Sequence, residues 1–194
     1  EVATRVSLAI FPEMYDAGWH TTGVTGVIGA GIAAAILLGL GPGQMANALS
    51  TAATQAAGHR EQFGGMGKSL HCGKAASNGV LAAMLARQGF TAAPDGLEGR
   101  RGMLRVVSSA VHSEAMTRGL GERWELFGNG FKPYPCGLVV HPVIDAMLLL
   151  RNKHGVRADE VETVDLVVHP LVLDLANKTN PTTGLEGKFS VTYV

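Results

Sequence analysis

Charge is scarce in this sequence and balanced where it occurs. Lys plus Arg and Asp plus Glu each total 16 of the 194 residues. No net field therefore recruits nucleic acid or an anionic membrane. No Asp, Glu, Lys or Arg stands between Asp16 and Arg60, while 46% of the chain is hydrophobic, as suits a compact or oligomeric protein that hides much of its surface. Cysteine is nearly missing too. Cys72 and Cys136 lie far apart and fit no CxxC or zinc pattern, which excludes a disulfide scaffold and reads as reduced intracellular thiols. No signal peptide, internal repeat or low-complexity tract is visible. The uncharged stretch Thr21 to Leu40 has the length of a membrane span. It lacks flanking Lys/Arg and an aromatic belt, and its glycines suit close helix packing, so we expect no membrane segment.

What is there is mostly helix. Apolar, Ala- and Gly-rich sequence predicts helices over Val24 to Leu38 and Gln44 to Ala57, separated by Gly39 and Gly41-Pro42-Gly43. Val80, Leu81, Met84 and Leu85 at helical spacing predict a third over Gly73 to Gln88, with Gly89 as its C-cap. A short helix over Gly102 to Val111 and an amphipathic one over Pro142 to Arg151, closed by Gly155, follow. Val161 to His169 then alternates apolar and polar residues as a half-buried strand does. The expected fold class is mainly α: a large all-α domain over 1–128 and the beginning of a smaller α+β lid domain over 129–194. Residue 1 is not methionine and the last residues are an apolar run, so the chain reads as an internal piece of a longer protein.

Phe131-Lys132-Pro133-Tyr134-Pro135-Cys136 carries the sharpest local signal. Each proline fixes its own φ and pushes the preceding residue towards an extended conformation. Lys132 is thereby framed on a stiff, non-helical segment, where a long cation can be aimed at an anion at low entropic cost; a rigid linker that happens to contain lysine has the same look. Two more polar islands interrupt the apolar chain. Gly18-Trp19-His20-Thr21-Thr22-Gly23 puts His20 at the entrance to the most buried-looking helix, and Lys68-Ser69-Leu70-His71 leads into the third. Two fixed lysines and a histidine near helix N-termini would bind a polycarboxylate, and that histidine could move a proton near neutral pH. Taken singly, His20 also reads as a helix-start residue bonding backbone, Lys68 as a solvated loop cation, and His71 and His141 as structural. His59, His112, His154 and His169 have no partner pattern. Gly29-Ala30-Gly31-Ile32-Ala33-Ala34 imitates a dinucleotide fingerprint without a preceding strand, and Gly64-Gly65-Met66-Gly67-Lys68-Ser69 imitates a phosphate loop whose first glycine is Gln62.

Five motifs in order resemble the MmgE/PrpD family: Gly-Trp-His-Thr-Thr-Gly, Gly-Met-Gly-Lys-Ser-Leu-His-Cys-Gly-Lys-Ala-Ala, Phe-Lys-Pro-Tyr-Pro-Cys, His-Pro-Val-Ile-Asp-Ala, and Thr-Gly-Leu-Glu-Gly-Lys-Phe-Ser-Val-Thr-Tyr-Val. The family includes 2-methylcitrate dehydratase, cis-aconitate decarboxylase and iminodisuccinate epimerase. The resemblance implies that His20 is the active-site histidine, that Lys68, Lys132 and Tyr193 complete the catalytic set carried by this chain, and that Lys68, Lys132 and His71 bind substrate. It also implies no metal or other cofactor, a small-molecule polycarboxylate substrate, a homodimer, no nucleic-acid partner and a cytoplasmic location. The decarboxylase branch has a further histidine where this chain has Gly137, which points away from cis-aconitate decarboxylation. The family's acidic and histidine residues from an earlier helix have no counterpart here. The implied activity is a hydro-lyase acting by proton abstraction next to a carboxylate. An epimerase of an imino- or amino-dicarboxylate and a non-catalytic carboxylate-binding protein are the alternatives.

Overall fold

The structure, a computed structural model, describes residues 1–194 and is mainly helical, with no β-sheet. The chain divides into two compact units. One comprises Glu1–Gln62 and Gly67–Asn129, the other Phe63–Met66 and Gly130–Val194.

The first unit holds helices α1 (Val2–Ile10), α2 (Glu13–Asp16), α3 (Thr21–Leu37), α4 (Pro42–Ala53), α5 (Met66–Arg87, from its second residue on), α6 (Met103–Val107) and α7 (Glu114–Thr117). Its centre is α3. A helix apolar on all sides is stable only when other elements surround it, and here α1, α4 and α5 do so. Val24, Val27 and Ile28 of α3 are fully buried with Ile10 of α1, Ala52 of α4 and Ala82 of α5. Small residues set the spacing. A Cβ on Gly79 of α5 would stand 2.6 Å from both the Gly31 nitrogen and the Val27 oxygen of α3, so the two backbones touch directly. A Cβ on Gly29 would meet the Ala3 side chain of α1 at 2.9 Å.

One charge is buried in this unit. Arg5 is 2% exposed; its Nε donates to Glu1 Oε1 at 2.6 Å, Nη1 to the Arg118 carbonyl at 2.9 Å and Nη2 to the Arg123 carbonyl at 2.6 Å. The Glu1 carboxylate in turn accepts from the Glu125 and Leu126 backbone N–H groups. All of the guanidinium's main directions are therefore satisfied, as a buried cation requires, and α1 is pinned to the segment that ends the unit.

The second unit contains α8 (His141–His154), α9 (Pro170–Leu175) and α10 (Gly184–Gly187). Its core is small: Val140, Val172 and Ala176, packed by neighbours such as Ile144 and Val191. A short backbone pairing joins residues 176–178 to 189–191, with Lys178 N–H to the Phe189 carbonyl and Val191 N–H to the Ala176 carbonyl. Phe63 packs its ring against Phe189 with centroids 5.7 Å apart.

The structure corrects the expected element bounds in four places, the first being the Gln44 to Ala57 helix, which runs over Pro42–Ala53. The strand expected over Val161 to His169 does not form; these residues lie outside any helix or strand. Alternation gives a segment a face to bury, but a strand needs a neighbour to take its N–H and C=O groups. Here Val161, Val164 and Leu166 instead line a groove of about 840 Å³ with Ile144 and Met147 of α8. The third helix starts at Met66 rather than Gly73, so Lys68 and His71 stand inside its first turns and not ahead of them. The Gly102–Val111 helix is shorter, Met103–Val107. The helix after the Lys132 segment begins at His141 and is capped by Gly155 in the left-handed conformation, as read from the sequence.

The close approach of α3 and α5 makes a paired prediction. Gly79→Ala forces the two backbones apart and should cost roughly 1–3 kcal/mol. Gly73→Ala, on the same helix with nothing within 4 Å of its Cβ position, should raise stability by up to about 1 kcal/mol through helix propensity. Urea midpoints of the two variants in the intact protein check the contrast. Equal effects would mean that the contact does not set the helix spacing.

Candidate active site

His20 is placed by backbone before its side chain matters. Residues 18–20 and 58–60 run antiparallel: His20 N–H donates to the Gly58 carbonyl at 3.0 Å and Arg60 N–H to the Gly18 carbonyl at 2.7 Å, with Trp19 and His59 as the bridging pair. The His20 carbonyl then accepts from Gly23 and Val24 and starts α3. This answers one reading of the sequence. His20 occupies the N-cap position, but its side chain does not cap the helix.

The ring turns to α5 instead. His20 Nδ1 lies 3.0 Å from His71 Nδ1, with the two rings tilted and their centroids 5.2 Å apart. Two imidazole Nδ1 atoms at hydrogen-bond distance require one proton between them, one ring donating and the other accepting. The His59 ring stands beyond His71, 6.3 Å away by centroids. The His71 ring is fitted closely. A Cβ on Gly58, whose φ is +106°, would meet ring atoms Cγ and Nδ1 at 2.8 Å, and a Cβ on Gly23 would stand 3.2 Å from the His71 Cβ. Only glycine serves at position 58, for its backbone angle and for the ring beneath it.

Electrostatics keep the pair neutral. Burial, then the Lys68 ammonium, then His71 push the His20 pKa down from 6.5 to about 4. Burial, then His59, lowers that of His71. His20 is only 6% exposed, and a charged imidazolium there would lose its hydration beside another cation. At neutral pH His20 is therefore an uncharged base, already deprotonated, with a cation at hand. The structure brings together His20, His71 and Lys68, since Lys68 and His71 are three residues apart on one face of α5.

Lys132 and Tyr193 belong to the second unit. Lys132 stands in an exposed, non-helical segment and its Nζ donates to the Cys136 carbonyl at 3.2 Å. That segment is anchored by Tyr134, whose hydroxyl donates to Asp145 Oδ1 at 2.5 Å and whose ring meets buried His141 edge-on at 5.2 Å. The Asp145 bond, with burial behind it, holds the Tyr134 phenol above its ordinary range. Burial raises the Cys136 thiol, against the opposing charge of Lys132, which disfavours a thiolate there. The Tyr193 ring is 65% exposed and lies against Gly187, where a Cβ would reach it at 2.6 Å. Gly137, with no side chain to offer, donates its N–H to the Lys188 carbonyl.

Residues 1–115 match the MmgE/PrpD N-terminal domain and residues 134–194 the MmgE/PrpD C-terminal domain. The chain belongs to the MmgE/PrpD family. Over 211 aligned residues it is 29% identical to a cis-aconitate decarboxylase of Aspergillus terreus, an alignment that takes in 100% of this chain and 43% of that protein. It is 26% identical to the cis-aconitate decarboxylase-like protein oryM of Aspergillus oryzae, covering 100% of this chain and 44% of the relative. This MmgE/PrpD chain thus spans less than half the length of the curated relatives it matches. No helix in it is long and apolar enough to cross a membrane.

Sequence reasoning missed the partnership of His20 with His71 and the nearness of His59. The available signal was the i, i+3 spacing of Lys68 and His71, which places both on one helix face only once the helix is started at Met66. The run Gly64-Gly65-Met66-Gly67 hid that start by reading as loop.

The depressed His20 pKa has a consequence for stability. Between about pH 4 and 6.5 the unfolded chain binds a proton at this residue that the folded chain does not, so stability rises with pH across that window. The contribution is complete above 6.5 and is lost as pH falls towards 4. Urea midpoints measured from pH 4 to 7 should show this slope, reduced in His20→Gln. An unchanged slope in that variant would assign the acid sensitivity to other groups.

Proposed function

We propose that this MmgE/PrpD chain supplies the histidine, two lysines and tyrosine of a cofactor-independent lyase that acts on a citrate-like di- or tricarboxylate. The observation that carries the reading is the buried, neutral His20 held through Nδ1 beside the Lys68 cation. A base that is uncharged at neutral pH, next to a fixed positive charge, is what removal of a proton beside a carboxylate needs. The base takes the proton, and the cation offsets the charge that develops on the enolate-like carboxylate.

In the dehydration we favour, His20 Nε2 removes the proton from the carbon next to the carboxylate. The C–H electron pair becomes the new C=C bond, and the β-hydroxyl leaves as water after taking a proton from an acid, the role we give to Tyr193. Lys68 and Lys132 bind carboxylates by charge-assisted hydrogen bonds. The two prolines around Lys132 reduce the entropy lost on fixing its segment. Association as a homodimer and a cytoplasmic location remain part of this proposal and rest on the family resemblance.

The chain's similarity to a cis-aconitate decarboxylase and a cis-aconitate decarboxylase-like protein favours a second reading, decarboxylation of cis-aconitate. There the bond broken is C–C, carbon dioxide leaves, and the resulting carbanion is protonated by the acid. Gly137, which supplies no side-chain acid at its position, is the feature that weighs towards dehydration.

Proton NMR of the intact protein in D₂O with 2-methylcitrate, cis-aconitate, citrate and iminodisuccinate separates these readings. Loss of water from 2-methylcitrate or citrate supports the hydro-lyase, and release of carbon dioxide from cis-aconitate supports the decarboxylase. Exchange of one α-proton without elimination points to epimerisation, and no change with any of the four removes the lyase reading. Lys132→Ala should lower turnover by about 10²-fold or more with the fold intact, as loss of an electrostatic stabiliser does; near wild-type kcat would remove Lys132 from the mechanism. Because kcat/KM reports the free enzyme, its acid limb should lie well below pH 6.5, following His20.

A further inference from the structure

We propose that His71 is the positioning residue of His20: it accepts the Nδ1 proton of His20, fixes the tautomer that leaves His20 Nε2 bare, and does not itself bind a substrate carboxylate. The proposal rests on the reading of His20 as the proton-abstracting base.

Free histidine has no fixed tautomer, and a base that carries its proton on the wrong nitrogen cannot act. The 3.0 Å Nδ1–Nδ1 contact removes that freedom, because the ring that donates must carry its proton on Nδ1 and the ring that accepts must carry its own on Nε2. The proposal gives the proton between the rings to His20, which leaves its Nε2 bare for the substrate proton, and makes His71 the acceptor.

The packing is that of a part held in place. The Gly58 backbone comes close to the His71 ring and Gly23 of α3 to its Cβ, so a side chain at either glycine would displace His71. Gly58 is also the residue whose carbonyl accepts the His20 N–H. One turn of backbone thus sets both rings, and the Nδ1 atom of His71 is committed to His20 rather than to a ligand.

The proton count closes without a further group. Before reaction His20 holds one proton, on Nδ1. When Nε2 takes the substrate proton, His20 becomes imidazolium and keeps its Nδ1–H on His71, which stays neutral throughout. The proton later leaves from Nε2. A carboxylate in the place of His71 would raise the His20 pKa and favour the imidazolium.

The test is ¹⁵N–¹H long-range correlation of the histidine rings in the intact, resting protein at pH 7, with His20 assigned by its loss in His20→Gln. The expected pattern is a protonated Nδ1 and bare Nε2 on His20, and the reverse on His71. In His71→Ala, His20 should shift towards the Nε2–H form that free imidazole side chains prefer, and kcat should fall about 10²-fold at nearly unchanged KM. His71→Asn, whose amide group can stand near the former Nδ1, should recover part of that loss, and His71→Gln less. A wild-type His20 protonated on Nε2 overturns the proposal. So does a His71→Ala variant that raises KM and spares kcat, since His71 would then bind substrate directly. If the tautomers are as stated but His20→Gln retains full turnover, the assignment of His20 as base fails while the pairing stands. The wild-type spectrum decides the pairing even if His71→Ala does not fold.

Discussion

Two helices meet without side chains between them, and the candidate site is set by that contact. Gly79 of α5 rests on the backbone of α3 between Val27 and Gly31. The first turns of the same helices carry His20 at one start and Lys68 and His71 at the other. Hydrogen bonding between two rings fails outside a few tenths of an ångström, so the spacing of the helix bodies is a chemical quantity here. At Gly31 of α3 a larger residue would enlarge that spacing, since a Cβ there would already stand 3.5 Å from the Gly79 carbonyl oxygen. The lack of charge across residues 17–59 follows from the same need, since a buried cation or anion has no water and few polar partners in such a contact.

The histidine pair is an unusual answer to a common need. A general base must be held in one tautomer, and a carboxylate often does this while raising the imidazole pKa. In the proposal made for His20, a second histidine takes that place. Beside Lys68 this matters, because the ammonium and an imidazolium would repel each other in a partly desolvated place. The Arg5 cluster follows the opposite rule. There the buried charge is retained, and Glu1 and two backbone carbonyls surround it.

The second unit is organised around a stiff loop more than around a core. Tyr134 is tied to Asp145 and seated on His141, so the segment bearing Lys132 is braced from α8 although its own residues are exposed. Four buried apolar residues, Val140, Val172, Ala176 and Phe189, make a small core for a unit of this size. The apolar residues of α8 and of 161–166 line an open groove in place of a sheet.

Composition and periodicity were enough to establish a helical protein, the places of α3, α4 and α8, and the polar islands in which His20, Lys68 and Lys132 stand. These are local properties: apolar runs, Pro and Gly punctuation, and short motifs that fit a family. The strand over Val161 to His169 was misread because alternation reports a buried face but says nothing about a partner to pair with. The start of α5 was misread because the glycines at 64, 65 and 67 resemble a loop, although Gly67 lies inside the helix with the Gln62 side chain against it. Only the tertiary structure decided that His71 belongs to His20. Those residues are 51 positions apart, and no local pattern carries the distance between two rings brought together by the packing of α3 on α5.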